Sequence, residues 1–101
     1  MGGAERMTLL KYIVKVPSGP GGPKLIDVLE MLRYSKDVVL EIKSTEPLTF
    51  VVGHEISGNR FKERLKFFRE HILGRWKQFG FEIELTEDTD FLFQTAEENY
   101  P

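Results

Sequence analysis

Apolar and polar residues alternate with period two in four stretches of this chain and recur at helical spacing in two others. Residues 8–16 (TLLKYIVKV) alternate, with Leu10, Tyr12, Val14 and Val16 on one side and Lys11, Ile13 and Lys15 on the other. Pro17 ends that strand, and residues 18–23 (SGPGGP) read as a loop by composition. Leu25, Val28, Leu29 and Leu32 then follow a 3.6-residue period, and Pro23 suits a first turn where its missing N–H costs nothing, so the pattern predicts a helix over 23–34. Residues 37–43 (DVVLEIK) predict a second strand with Val38, Leu40 and Ile42 inward, and residues 48–54 (LTFVVGH) a third with Leu48, Phe50 and Val52 inward. The turn between them, 44–47 (STEP), is short enough to require an antiparallel hairpin.

Asn59 is a good helix N-cap, and Phe61, Leu65, Phe68, Ile72, Trp76 and Phe79 form one apolar stripe, predicting a helix over 60–79. Gly80 fits the left-handed residue that stops a helix, with Phe81 supplying the accompanying hydrophobic contact. Phe81, Ile83 and Leu85 alternate with Glu82 and Glu84 in a fourth strand. Asp88, Thr89 and Asp90 read as a turn, and Phe91, Leu92 and Phe93 as a short extra C-terminal strand or an edge turn.

The order β-α-β-β-α-β predicts an α+β fold on the ferredoxin-like, split-βαβ plan: a four-stranded antiparallel sheet with two helices on one face. The expected organisation is a loose N-terminal tail at 1–7, one α+β domain at 8–94 and an acidic C-terminal tail at 95–101. A helix of about 20 residues spans roughly 30 Å, against about 20 Å for the strands, so the second helix should overhang the sheet.

Composition narrows the chemistry. The 101 residues are 41% apolar and contain no cysteine, which removes disulfides, thiolate nucleophiles and cysteine metal sites. No apolar run approaches the roughly 20 residues of a membrane span, and the first residues carry no secretory pattern; a Cys-free domain of this kind is expected in the cytoplasm, away from membranes. His54 and His71 lie on separate elements without metal-ligand spacing, and no nucleophile–base–acid order or carboxylate pair stands out, so neither catalytic residues nor cofactors are assigned. The loop 18–24 (SGPGGPK) departs from phosphate-cradling patterns, and its prolines remove donors, so it reads as a connector.

Charge is more informative. Arg60 to Lys77 holds seven of the fourteen Lys and Arg against two acids, whereas everything after Gly80 carries seven acids and no base. A basic helix can track phosphates, and Arg60, Arg64 and Arg75 fall along one of its flanks. Long basic side chains also flank buried stripes with their charges in water, which weighs against that reading.

Two helices cover one face of the sheet and leave the other open. On the open face the alternation places Ile13, Val39 and Val51 together, an apolar patch suited to a protein partner or a second copy of the chain. Tyr12 and Phe50, the aromatics of the central strands, point inward, which excludes base stacking on the sheet. The expectation is a non-enzymatic binding or regulatory module that acts through protein contacts and self-associates. The alternative is a nucleic-acid binder using Arg60, Arg64 and Arg75.

Overall fold

A computed structural model describes residues 7–58 and 60–99, with side chains through Thr95. The chain forms β1 (Met7–Lys15), α1 (Leu25–Ser35), β2 (Val38–Thr45), β3 (Leu48–Ser57), α2 (Phe61–Phe67), a π-helical segment (Phe68–Leu73), α3 (Gly74–Gln78), β4 (Glu82–Leu85) and α4 (Glu87–Asn99). The fold is α+β: one four-stranded sheet, ordered β2-β3-β1-β4 with every neighbouring pair antiparallel, packed against helices. Of the tail expected at 1–7, Met7 instead opens β1, while residues 1–6 and the proposed cap Asn59 lie outside the described residues.

The alternation read in β1 and β3 sets the core. Leu10, Tyr12 and Val14 of β1 and Phe50, Val52 and Ile56 of β3 bury one face of the sheet. Val28 and Met31 of α1 meet them, as do Leu65, Phe68, Ile72, Leu73 and Trp76 of the long helical rod. Rod and sheet therefore bury the middle of the stripe read in the sequence, while Phe61 at its start is partly buried and Phe79 at its end stays exposed. The π segment widens the rod by one residue, and the adjacent pair Ile72 and Leu73 both turn inward.

The end of the rod follows the sequence closely. Gly80 sits at φ +96°. Its N–H donates to Lys77 O at 3.0 Å and that of Phe81 to Trp76 O at 3.1 Å, a Schellman pair of bonds. The Phe81 ring meets Trp76 edge-on with centroids 4.9 Å apart.

Two elements depart from the sequence pattern. Residues predicted as turn and extra strand form α4, whose first turn carries Glu87, Asp88 and Asp90, favourable at a helix N-terminus. Thr86 and buried Thr89 tie this start to β1: the Lys11 N–H donates to Thr89 Oγ1 at 2.9 Å, and the Thr86 hydroxyl donates to Lys11 O at 3.1 Å. The four residues of β4 pair only with Tyr12 to Lys15, so α4 takes over the edge that β4 leaves bare. Phe93 stacks on Phe68 at 6.1 Å, which places it in the core between rod and sheet. The helix continues to Asn99, through the stretch read as an acidic tail from Thr95.

The second departure is in β2. Its register against β3 slips at Leu40 and again at Lys43. Val39 lies opposite Val52, Ile42 opposite Phe50 and Thr45 opposite Leu48, all on the helix-facing side. Val38 lies opposite Gly53, Glu41 opposite Val51 and Ser44 opposite Thr49, on the open side. Each bulge inserts one residue and resets the side-chain phase. Reading unbroken alternation through Leu40 therefore put Val38, Val39 and Leu40 on the wrong sides.

Candidate functional site

Two regions of the surface have the chemistry to engage a ligand or partner. The first is built behind His54. Val52, His54 and Ile56 share the core-facing phase of β3, so the imidazole points under the helices. There it lies against Phe68, ring centroids 4.6 Å apart. Asp37 reaches the same layer from the connection between α1 and β2. Lys36 at φ 60° stops α1 in a left-handed conformation and drops Asp37 into the position opposite His54.

The Asp37 side chain is 2% exposed and that of His54 16%. Asp37 Oδ1 stands 2.6 Å from His54 Nδ1, while the Tyr12 hydroxyl donates to Asp37 Oδ2 at 2.6 Å. Trp76 Nε1 in turn donates to the Tyr12 hydroxyl at 3.0 Å. Burial, then the Asp37 carboxylate and its hydrogen bond, push the Tyr12 hydroxyl far above the ordinary tyrosine value, against a smaller opposite effect from Trp76. Tyr12 is therefore a fixed donor to Asp37. The row Trp76–Tyr12–Asp37–His54 crosses α3, β1, the α1–β2 connection and β3, and leaves Nε2 as the imidazole's second nitrogen.

In front of this row is a shallow cleft of roughly 470 Å³, lined by His54, Glu55, Ile56, Arg60, Glu63, Arg64 and Phe67. Arg60 and Glu63 form an exposed pair at 3.9 Å. The cleft holds two arginines and two glutamates, so its charge alone does not select an anion. Among the described residues, no group of three or more His, Asp and Glu could hold a metal ion.

The structure brings Arg60 and Arg64 together but not Arg75. The Arg75 guanidinium lies on the far part of the rod, 4.1 Å from the Tyr34 ring centroid and 5.8 Å from that of Phe79. His71 stacks on Phe67 at 4.7 Å. Sequence reasoning placed His54 at a strand end and did not find Asp37 or Tyr12 as its partners. The signal in the sequence was the inward phase of His54 with Phe50 and Val52. The carboxylate opposite it becomes visible only with the pairing register.

The second region is the open face of the sheet with the β2 edge. Ile13 and Val51 are direct cross-strand neighbours there, as expected. Val51 is already buried, while Ile13 is half-buried between Lys11 and Lys15. Val39 does not join them, because the bulge at Leu40 turns it to the helix-facing side beside Val52. Its place is taken by Leu9 and Leu40, which close over Gly53: a Cβ added there would stand 3.0 Å from Cδ1 of each leucine. Among the described residues, the C-terminal segment packs against the rod through Phe93 and not over this face.

At the edge, β2 exposes seven of its eight residues, Val38 and Ile42 each at 61%. The helical layer stops short of this edge, so even Val39 and Ile42, on the helix-facing side, reach solvent. α1 adds Leu25, Ile26 and Leu29 to the exposed apolar residues. Among the described residues, no helix is long and apolar enough to cross a membrane.

The class of protein this defines is an α+β domain with an antiparallel sheet, open on one face and bare along one apolar edge. No family model matches the chain, and no curated protein or solved structure matches it.

Proposed function

We propose that this protein is a non-enzymatic binding or regulatory module on the ferredoxin-like plan, and that it works through protein contacts and self-associates. The plan rests on the element order together with central first and third strands flanked by the second and fourth. The observation that carries the function is β2. An edge strand presents unpaired backbone donors and acceptors, which proteins blunt with charge, proline, bulges or cover; β2 carries two bulges and the charges of Glu41 and Lys43 but, among the described residues, no cover. Here four of the first five residues, Val38, Val39, Leu40 and Ile42, are apolar and exposed. Sedimentation equilibrium of the full chain tests the reading. The expected result is a dimer or higher species at micromolar concentration; a monomer throughout that range overturns it.

A second reading has one observation behind it. Arg60 and Arg64 share the cleft with His54 and with Phe67, an exposed aromatic ring. Basic groups beside a stacking ring suit single-stranded nucleic acid. Arg75 drops out of that site. Fluorescence anisotropy of RNA and DNA oligomers at low and at physiological salt tests it. Micromolar binding that falls steeply with salt and is lost in Arg60→Ala/Arg64→Ala supports the reading. Absence of binding at low salt removes it.

A further inference from the structure

The two bulges give β2 an unusual face pattern. Val39, Ile42 and Thr45 lie on the helix-facing side. Val38, Glu41 and Ser44 lie on the open side, where Leu40 also packs over Gly53. Lys43, the extra residue of the second bulge, falls beside Ser44 by the same phase reset. From Val39 to Thr45 the pattern is a palindrome centred on Ile42.

An antiparallel pairing of two identical strands in one sheet relates them by a two-fold axis perpendicular to that sheet. Residues directly opposite must then share a face. The palindrome meets this condition when Ile42 lies opposite Ile42 of a second copy. Val39 then faces Thr45, Leu40 faces Ser44 and Glu41 faces Lys43, each with its face preserved. Glu41 meets Lys43 twice, once on each side of the axis. Sliding the strands until Val39 faces Ile42 also preserves faces, but it sets Leu40 against Glu41 and pairs fewer residues.

We infer that β2 is a dimerisation strand that pairs antiparallel with β2 of a second copy about Ile42, its register set by reciprocal Glu41–Lys43 contacts. The inference rests on the self-association reading and names its geometry. The joined sheet has eight strands with all helices on one side. Val39 and Ile42 of both copies form an apolar seam on the helix side, and the two Leu40 side chains flank the ion pairs on the open side. The bare edge disappears in the dimer. Partners of other sequence would satisfy the backbone equally well. Only a second copy reproduces both the palindromic faces and the charge pairing.

The test is a charge exchange read by sedimentation equilibrium. Glu41→Lys and Lys43→Glu are each expected to weaken dimerisation on the order of tenfold, because two like-charged contacts replace two attractive ones. The double variant Glu41→Lys/Lys43→Glu restores the pairing with its signs reversed, and its affinity should return to within a few-fold of the parent. Both side chains are exposed, and circular dichroism confirms that each variant keeps its fold.

Since the chain has no cysteine, Ile42→Cys gives an independent readout. Mild oxidation should link Ile42→Cys into a disulfide dimer and leave Thr45→Cys unlinked. A chain that dimerises unchanged in both single exchanges, or whose double exchange fails to restore what the singles lose, overturns this register while self-association stands. A chain that is monomeric at all concentrations overturns both.

Discussion

Trp76, Tyr12, Asp37 and His54 show what a few buried polar atoms demand of their neighbours. Each has a partner, and among the described residues no buried side-chain nitrogen or oxygen is left without one. Removing one member strands the others, which costs more than the lost bond itself. Asp37→Ala should therefore lose about 2–4 kcal/mol in denaturant unfolding, since it orphans both the Tyr12 hydroxyl and His54 Nδ1. Trp76→Ala should lose about 3–5 kcal/mol, combining a large cavity with the lost donor to Tyr12. A loss below about 1 kcal/mol would place Trp76 outside the core.

Tyr12 also gives the protein an alkaline limit. Its folded pKa is raised, so the native state keeps the proton while the unfolded chain releases it near the ordinary value of about 10. Stability from this group is complete below that pH and falls above it by up to about 1.4 kcal/mol per pH unit. Tyr12→Phe should flatten the fall by that slope in unfolding curves measured between pH 9 and 11. Trp76 and Tyr12 were legible in the sequence as core residues. Their polar atoms were not, because hydrogen-bond partners far apart in the chain leave no periodic trace.

At the scale of elements, turn chemistry was the most legible feature. Gly80 after an apolar stripe, followed by Phe81, announced the end of the rod, and the bonds from both amides to the last turn bear it out. Gly80→Ala should destabilise the fold by about 1 kcal/mol or more, because a Cβ disfavours φ +96°. Lys36 holds a similar left-handed position without being glycine, and Lys36→Gly should stabilise by about 0.5–1 kcal/mol in thermal or urea unfolding. A loss of stability there would mean that the Lys36 side chain makes up for its backbone strain.

Alternation was readable in β1 and β3, which are paired on both sides and hold one phase from end to end. It misled in β2, where two bulges reset the phase and no glycine or proline within the strand marks them. It misled again at α4. Thr86 followed by three acids within four residues is a helix-start signal, which the turn-forming composition of Asp88-Thr89-Asp90 masks. The fold therefore came through at the level of its α+β class, a four-stranded antiparallel sheet with helices, and the candidate binding patch lost Val39 to a bulge.

For the molecule as a whole, the charge asymmetry of the sequence acquires a location. α4, whose first turn is acidic, packs beside the basic rod through Phe93 on Phe68, with the Arg69 guanidinium 4.9 Å from the Phe93 ring centroid. The acidic C-terminal segment thus sits, through α4, against the basic one, and the overall charge of −2 reflects their near balance. Among the described residues, neither segment covers the open sheet or the β2 edge. The β2 edge exposes Val38, Val39, Leu40 and Ile42 beside Glu41 and Lys43, the residues on which the proposed pairing with a second copy rests.

The central claim is that this edge is occupied by a second copy. Amide hydrogen exchange along β2, followed as a function of protein concentration, reads the occupied edge directly. The account predicts that β2 amides facing away from β3 exchange quickly in dilute solution and become protected as concentration rises, while those of β1 and β3 stay unchanged. Exchange in β2 that is fast and independent of concentration would contradict it.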